Sequence, residues 1–202
     1  MKSKTGATTP KAVLGLLSIC PMSGYDIRQL AQWFIGHFWT ESYGQIYPAL
    51  RQLDEDGLAE KKTERHKGKP DRHIYSLTEK GREDLRTWLR VPPEDEVPRN
   101  ALLLKLFFGG QVEAGASALH VSEAMEREKI RLEVYRQTEK KLLKESKRNP
   151  QLPFWLMTLN FGRHRSKATV KWCEQTLKEL KRVEMERAGT KRKRKSKEAP
   201  HA

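Results

Sequence analysis

The segment SYGQIYPALRQLDEDGL, residues 42–58, decides the fold of the first half of the chain. Its apolar side chains recur at three- and four-residue spacing, which predicts one amphipathic helix over residues 42–56. Ser42 is the predicted N-cap, with Gln45 completing a capping box, and Gly57 supplies a left-handed C-cap. The face that we expect to be buried carries Ile46, Ala49, Leu50 and Leu53.

Two poor helix formers lie near the start of this predicted helix, on the face that points away from the core. Gly44 has no side chain and Pro48 has a compact ring, so this end of the helix is slim. Because proline lacks an N–H, the Gly44 carbonyl loses its usual helical donor, and we expect a kinked or tightened first turn. Polar groups around this end suit insertion into a DNA major groove. They are Gln45, Tyr47, Arg51 and Gln52.

The flanking segments predict two further short helices before this one, then a hairpin and a last helix. Pro21 ends the first helix, and Ser23 and Thr78 are the predicted N-caps of the second and the last. The hairpin is too small to be stable unless it packs on the helices. This order is typical of a winged helix-turn-helix. The predicted bounds are 11–20, 23–34 and 79–89 for the helices, and 58–64 and 73–78 for the strands.

The turn of the predicted hairpin is strongly basic. Residues 61–72 contain six Lys or Arg residues against two acids. Such a wing lies along the phosphate backbone and contributes affinity without base specificity. It favours DNA binding by residues 42–56 over the alternative interpretation, an ordinary solvated helix face. The basic residues are Lys61, Lys62, Arg65, Lys67, Lys69 and Arg72.

The formal net charge of +14 indicates a polyanionic partner, with nucleic acid the first candidate and an anionic membrane surface the second. A competing function is a protein-interaction module, in which the winged helix docks a protein and the basic tail binds an acidic partner. A docking helix would present an apolar outward face. The outward face of residues 42–56 is polar, which favours DNA.

Composition divides the chain into five segments. Residues 91–98, VPPEDEVP, are rich in proline and acids and are typical of a linker. The last residues include KRKRKSK, which is interpreted either as a non-specific DNA tether or as a solubility tail. The predicted organisation is a flexible arm, 1–10; a winged-helix domain, 11–92; a linker, 93–98; a long-helix domain, 99–188; and a disordered basic tail, 189–202.

Residues 11–89 resemble the winged-helix domain of PadR-family transcriptional regulators. The matching stretches are LGLLSICPMSGYDI, FWTESYGQIYPALRQLDEDGLAEKK and GKPDRHIYSLTEKGREDLRTWL. LLLKLFFGG (102–110) and PFWLMTLNFGRHRS (153–166) are similar to the second domain of the larger subfamily, whose long helices form the dimer. The resemblance covers about residues 11–182. It implies a mainly α fold with a small β-hairpin, combining a DNA-binding winged helix with a C-terminal dimerisation domain.

The resemblance also implies site residues. Tyr47 and its neighbours match the recognition helix, Lys69 and Arg72 match the wing, and Tyr25 matches a tyrosine that approaches phosphate. Gln45 departs from the many relatives that carry a small Thr or Ser, so a relative's operator cannot be assumed. The complete predicted DNA-binding set is Tyr25, Ser42, Gln45, Tyr47, Arg51, Lys67, Lys69 and Arg72.

Two stretches of the second half, 118–143 and 156–180, carry apolar side chains at helical spacing, but polar residues interrupt both. Neither forms a clean heptad seam, so two imperfect helices packing on each other and on a partner's copies are expected. Arg163 and Ser166 either set the register of that packing or face solvent near a bend at Gly162. A two-fold dimer would bind an inverted-repeat operator with half-sites one helical turn apart.

Because many PadR proteins respond to small aromatic or drug-like ligands, the resemblance allows an aromatic effector that releases a dimeric repressor from DNA. Aromatic side chains are candidates for its pocket, although at helical spacing they also suit a core. The candidates for ligand contact are Trp33, Phe38, Trp39, Phe108 and Trp155.

Enzymatic chemistry finds little support in the sequence. The histidines form no HxxxH pair, and there is no nucleophile elbow or phosphate-cradling glycine loop, so we expect no catalysis, metal or cofactor. Cys20 and Cys173 are expected to be packed, reduced thiols. No apolar stretch approaches the length of a membrane span, roughly 18–20 residues, which predicts a cytoplasmic, nucleoid-associated protein.

Overall fold

The structure is a computed structural model that describes residues 8–36, 38–39, 43–64, 71–93 and 99–197, with the side chains of Phe34, Tyr43, Ala114 and 191–197 left undescribed. The chain divides into two compact units, Met1–Asp95 and Glu96–Ala202. The boundary between them lies inside the predicted linker, 93–98. Because part of that segment is outside the described residues, each unit is treated by itself.

The first unit has the helix and hairpin order of a winged helix-turn-helix, as the sequence predicts. A short 3₁₀ turn, Tyr43–Gln45, precedes its third helix. The elements are α1 (Thr9–Leu17), β1 (Met22–Ser23), α2 (Gly24–Phe34), α3 (Ile46–Glu55), β2 (Ala59–Glu64), β3 (Arg72–Leu77) and α4 (Glu79–Arg90).

The sheet has three antiparallel strands in the order β1-β3-β2, so the expected two-stranded hairpin is incomplete. The added strand, β1, pairs Ser23 with Ile74, while Lys61 of β2 lies opposite Tyr75 of β3. Two residues are too few to show the alternation that marks a strand in a sequence. The finding matters because β1 fixes the start of α2 to the wing strand β3.

The face of α3 that periodicity predicts to be buried is buried. Ile46, Ala49, Leu50 and Leu53 all belong to the hydrophobic core of the first unit. They pack with side chains of α1, α2 and the sheet, including Leu14, Ile27 and Tyr75. Burying each large aliphatic side chain stabilises the fold by about 1.5–3 kcal/mol. The opposite face of α3 is therefore held outward by its own core residues.

The start of α3 is tightened, as the missing donor at Pro48 predicts. The 3₁₀ turn Tyr43–Gln45 replaces the first α-helical turn, and the α-helix begins at Ile46 rather than at Ser42. Gln45 is its N-cap, and its side chain makes no capping hydrogen bond to the first turn. The predicted capping box between Ser42 and Gln45 stays a prediction. Ser42 lies outside the described residues.

The end of α3 follows the sequence prediction. Gly57 has a positive φ of 67°. The Leu58 N–H donates to the Leu53 carbonyl and the Gly57 N–H donates to the Asp54 carbonyl, which together form a Schellman C-cap. A residue with a Cβ would be strained at Gly57.

Two expectations at α1 are wrong. The helix begins at Thr9, with Pro10 in its first turn, so two residues of the expected flexible arm are helical. Proline suits this position because its missing N–H has no partner there in any case. The helix ends at Leu17, and Cys20 is consequently exposed rather than packed. Cys173 is buried, and neither cysteine forms a disulfide.

The described residues of the second unit form three helices, α5 (Ala101–Phe107), α6 (Ala114–Glu145) and α7 (Leu152–Lys197), with a 3₁₀ turn at Gly109–Gln111. Helices α6 and α7 form an antiparallel pair around Val121, Ala124 and Cys173. No described helix combines the length and the apolar character that crossing a membrane requires.

Polar pairs join α6 to α7 where the sequence shows interruptions. Arg163 Nη1 donates to both carboxylate oxygens of Glu139 at 2.8 Å, and Ser166 Oγ donates to Glu128 Oε2 at 2.6 Å. Ser166 is 2% exposed, so the solvent-facing interpretation is wrong for this residue. These contacts lie within one chain, and their role in a dimer's register stays a prediction.

Helix α7 continues through Lys197, so the predicted disordered tail is wrong for residues 189–197. Lys and Arg are good helix formers, and Gly189 alone costs only about 1 kcal/mol in a helix. No proline interrupts the chain between Pro153 and Pro200. Composition alone therefore overestimated the disorder of this basic segment.

Candidate nucleic-acid interface

The outward face of α3 and its preceding turn is polar and sterically open. Gly44, Gln45, Pro48 and Arg51 are all exposed, and Tyr47 projects from the margin of the face with 52% of its surface exposed. Glycine and proline at this end let another molecule approach the backbone closely. The arrangement offers arginine and amide donors beside a slim helix start.

Next to this face is an open cleft of about 530 Å³ between the first turn of α2, Tyr47 of α3 and strand β3. Three residues that the sequence singled out separately, Tyr25, Tyr47 and Arg72, line this one cleft. The complete lining is Ser23, Gly24, Tyr25, Asp26, Tyr47, Asp71, Arg72, His73 and Tyr75.

The first turn of α2 is closed by a capping box. The Asp26 N–H donates to Ser23 Oγ at 3.3 Å, and the Ser23 N–H donates to Asp26 Oδ2 at 2.9 Å. The Ser23 hydroxyl also donates to Asp26 Oδ2, at 2.7 Å. Since Ser23 pairs with Ile74 of β3, the turn is tied both to its own helix and to the sheet.

Asp26 also binds the wing. Arg72 Nη2 donates to Asp26 Oδ2 at 2.6 Å, across 46 positions of sequence. Burial raises the pKa of the Asp26 carboxyl. The hydrogen bonds from Ser23 and the Arg72 guanidinium lower this pKa by more than burial raises it, so it lies below its ordinary value. The carboxylate therefore stays charged at neutral pH and holds the base of β3 against α2.

Gly24 brings α2 and α3 close together. A Cβ at this position would lie 2.6 Å from Tyr47 Cε1 and 3.2 Å from Leu50 Cδ1. Real Cβ atoms do not approach carbon this closely, so a larger residue would displace the Tyr47 ring. Glycine at the first position of α2 thus lets Tyr47 lie against the cleft.

Contacts around the cleft fix the wing strands to α3. The Lys61 N–H of β2 donates to Asp54 Oδ1 of α3 at 3.1 Å. Thr63 and His73 lie opposite each other on β2 and β3, with Oγ1 and Nδ1 3.1 Å apart. Burial raises the pKa of the Tyr75 phenol and the nearby Asp54 carboxylate raises it further, so the hydroxyl remains protonated.

The remaining predicted DNA-binding residues lie elsewhere or cannot be placed. Gln45 and Arg51 are exposed on the outward side of α3 but do not line the cleft. Ser42, Lys67 and Lys69 lie outside the described residues. The sequence missed Gly24 and the cleft residues Asp26, Asp71, His73 and Tyr75. The spacing Ser23-x-x-Asp26 indicates a capping box, but nothing in the sequence links Asp26 to Arg72.

The predicted ligand-contact residues do not line this cleft. Trp33, Phe38 and Trp39 belong to the first unit, and Phe108 and Trp155 to the second. Within the described part of the chain, the Trp39 Nε1–H is buried without an acceptor. The same described residues contain no cluster of His, Cys, Asp or Glu side chains that could hold a metal ion.

The architecture of the two units defines the structural class of the protein. The first unit is a winged helix-turn-helix whose third helix presents a polar, open face beside an arginine and two tyrosines. The second unit contributes long antiparallel helices. A winged helix joined to a long-helix unit is an architecture of DNA-binding regulators.

Comparison with known proteins gives the family. Residues 13–87 match the profile described as "Transcriptional regulator PadR-like family", and residues 98–181 match the one described as "Virulence activator alpha C-term". The chain therefore carries a PadR-like transcriptional regulator domain followed by a domain of the virulence activator C-terminal type.

Similar sequences and structures agree with this assignment. The negative transcriptional regulator PadR of Bacillus subtilis is 36% identical over 98 residues, which make up 48% of this chain and 54% of that protein. A second curated relative, from Mycobacterium tuberculosis, is 32% identical and matched over 44% of its length, so the chain spans about half of the curated relatives.

Solved structures match over more of the chain. Bacillus subtilis PadR in complex with operator DNA has a TM-score of 0.72 at 28% identity, covering 85% of this chain and 98% of that one. The structure of the same protein in complex with p-coumaric acid has a TM-score of 0.67 at 26% identity, covering 90% of this chain and 99% of that one. The structure of the Vibrio cholerae virulence activator AphA has a TM-score of 0.67 at 26% identity, covering 87% of this chain and 99% of that one.

The lowered pKa of Asp26 predicts a pH dependence of stability. A depressed carboxyl pKa stabilises the fold above the unfolded-state pKa, and this contribution is lost as the pH falls through the folded-state pKa. Asp26→Asn should therefore lose stability relative to wild type at neutral pH, and the difference should shrink below about pH 4. Urea unfolding of both proteins between pH 7 and pH 3 measures this.

Arg72→Gln provides the comparison, because it removes one of the groups that lower this pKa and leaves the Ser23 hydrogen bonds in place. It should show an intermediate dependence. A constant difference between wild type and Asp26→Asn across the whole pH range would contradict the assignment.

Proposed function

We propose that this chain is a sequence-specific DNA-binding regulator that acts as a homodimeric repressor. The observation that carries the proposal is the polar, sterically open outward face of α3 beside the cleft lined by Tyr25, Tyr47 and Arg72. Bacillus subtilis PadR, which is similar to this chain, is a negative regulator by name and has been solved in complex with operator DNA. Both facts support DNA binding and repression.

Each part of the face has a distinct role in this proposal. Gln45 and Arg51 point outward from the start and middle of α3, where amide and guanidinium groups can make two-point hydrogen bonds to base edges. Tyr25, Tyr47 and Arg72 contact phosphates, which positions α3 without reading sequence. Ser42, Lys67 and Lys69 extend these contacts from the segments on either side of α3.

A protein-docking role for α3 is less well supported. Docking helices bury apolar anchors in their partners, whereas Tyr47 is the one large, exposed hydrophobic side chain among the described residues of α3. Tyrosine serves equally well at a phosphate. The polar outward face therefore favours DNA as the partner.

Dimerisation is supported by apolar surface on the second unit. Phe107 is 82% exposed at the end of α5, and Phe154, Met157 and Phe161 follow one face of α7 at helical spacing, all exposed. These side chains form two groups, one at α5 and one on the first part of α7, and groups of exposed apolar side chains mark interaction surfaces. A second copy of the chain covers them in this proposal, and the two-fold dimer presents two α3 helices to an inverted-repeat operator. The other exposed members are Leu103, Leu104 and Phe108.

A small aromatic acid is proposed as the effector that releases the repressor. The complex of Bacillus subtilis PadR with p-coumaric acid supports the chemical class. Trp33, Phe38, Trp39, Phe108 and Trp155 are the candidates for its contacts. The Trp39 N–H is buried and has no acceptor among the described residues. It could donate a hydrogen bond to a carboxylate or phenol oxygen of the ligand.

Substitutions on α3 test DNA binding. The probe is a duplex that the wild-type protein enriches from a random-sequence pool. Arg51→Ala should weaken binding to this duplex by about 1–3 kcal/mol and relax the sequence preference of the protein. Tyr47→Ala should weaken binding to all duplexes alike, because it removes a phosphate contact. Fluorescence anisotropy at fixed salt measures both. Arg86→Ala, which removes the same charge from α4, is the control. Wild-type affinity in both α3 variants would refute the assignment.

A charge placed in the apolar surface tests the dimer. Phe107→Glu and Met157→Glu should each shift the protein from dimer to monomer at micromolar concentration, because a carboxylate at a buried interface is strongly disfavoured. Sedimentation velocity gives the mass. Leu89→Glu, at a 67% exposed position of α4, is the matched control and should remain a dimer. If all three proteins had the same mass, the proposed surface would be wrong.

Titration with p-coumaric acid tests the effector class. Binding should change the tryptophan fluorescence and reduce the affinity for the enriched duplex, since a ligand that prefers the unbound conformation shifts the equilibrium away from DNA. Trp39→Phe, which removes the N–H donor and keeps an aromatic ring, should weaken this response. The absence of any fluorescence change at millimolar acid would count against this class.

A further inference from the structure

We propose that Gly24 and Asp26, on the first turn of α2, are positioning residues that hold Tyr47 and Arg72 at the walls of the cleft as one preorganised phosphate-binding unit. The inference rests on the proposed DNA-binding function and deepens it. It assigns a role to a turn that itself supplies no side chain to the base-reading face.

The first half of the unit is the Asp26–Arg72 ion pair. Asp26 Oδ2 accepts hydrogen bonds from the Ser23 N–H, the Ser23 hydroxyl and Arg72 Nη2. Among the described residues, the guanidinium makes this contact through Nη2 alone, which leaves Nε and Nη1 as donors for a phosphate oxygen. A planar guanidinium held at one corner has few orientations available to its remaining donors.

The second half is the contact between Gly24 and Tyr47. The ring of Tyr47 lies where a Cβ on residue 24 would be, with Cε1 at 2.6 Å from that position. Tyr47 is 52% exposed, and Gly24 lies directly against its ring. The absence of a side chain at Gly24 therefore determines how close the Tyr47 hydroxyl lies to the cleft.

Both halves originate in the same rigid turn. The capping box fixes the turn to α2, and the pairing of Met22 and Ser23 with Tyr75 and Ile74 fixes it to β3. The separation between Tyr47 and Arg72 is thus established before DNA arrives. Ordering two side chains in advance lowers the entropic cost of binding.

A phosphate is the ligand that this pair suits. Guanidinium and phenol groups both donate to phosphate oxygens, and such contacts carry no sequence information. The consequence is specific: disturbing the turn should weaken binding to every duplex by the same factor and leave the sequence preference unchanged.

The test uses full-length protein and two DNA probes, a random-sequence 30-bp duplex and the duplex enriched by wild type from a random pool. The variants are Asp26→Asn and Gly24→Ala. Each has a matched control in the same unit. Asp84→Asn breaks the Lys11–Asp84 ion pair with the same change of charge, and Gly15→Ala adds a methyl group where nothing lies within 4 Å.

Asp26→Asn and Gly24→Ala are each expected to weaken binding to both duplexes about fivefold, which corresponds to about 1 kcal/mol. The controls should stay within about twofold of wild type after correction for net charge. The double variant Asp26→Asn/Arg72→Gln should bind no more weakly than Arg72→Gln alone, and Gly24→Ala/Tyr47→Ala no more weakly than Tyr47→Ala. This non-additivity distinguishes positioning from a general loss of stability, and melting temperatures are measured alongside.

Four results would overturn the inference, the last of them together with the proposed function. Additive losses would mean that the turn acts apart from Tyr47 and Arg72, and tighter binding by Asp26→Asn would mean that Asp26 competes with phosphate for Arg72. If Tyr47→Ala, Arg51→Ala and Arg72→Gln weaken binding while the turn variants do not, this inference alone fails. If none of these five variants changes DNA affinity, the proposed function fails with it.

Discussion

A single carboxylate oxygen, Asp26 Oδ2, receives hydrogen bonds from the backbone and side chain of Ser23 and from the guanidinium of Arg72. Those donors come from the start of α2 and from the wing strand, which are far apart in sequence. Besides this contact, the wing strands are joined to the helices through two residues of β1, the Lys61–Asp54 hydrogen bond and the core side chains Ala59 and Tyr75. The surface that the proposal assigns to DNA therefore depends on a charge that faces partly inward.

The third helix carries poor helix formers on the face that the proposal assigns to DNA. Pro48 removes one helical hydrogen bond. The residues before the helix form a 3₁₀ turn, so the α-helix begins only at Ile46. The fold tolerates this because Leu50 and Leu53, further along the helix, are almost completely buried. The loss of regularity is confined to the exposed end, which the proposal places against a duplex.

Periodicity was sufficient for the elements whose burial follows from spacing alone. It predicted all four core residues of α3, the C-cap at Gly57 and the N-caps Ser23 and Thr78. Periodicity failed for β1, because two residues show no alternation. Composition failed for the end of α7, because it does not measure the helix propensity of Lys and Arg. The cleft was out of reach for a different reason. Gly24, Asp26 and Arg72 meet only in the folded sheet, and no local pattern links them.

On the proposed function, the exposed face of α3 reads bases in the major groove, on both halves of a two-fold site. Methylation interference on the enriched duplex tests it most directly, since dimethyl sulfate modifies guanine N7 in the major groove. Reading of the major groove by a two-fold dimer predicts interfering guanines in two symmetric groups whose centres are about 10 base pairs apart. Interference confined to the minor-groove N3 of adenine, or to one unpaired group, would contradict it.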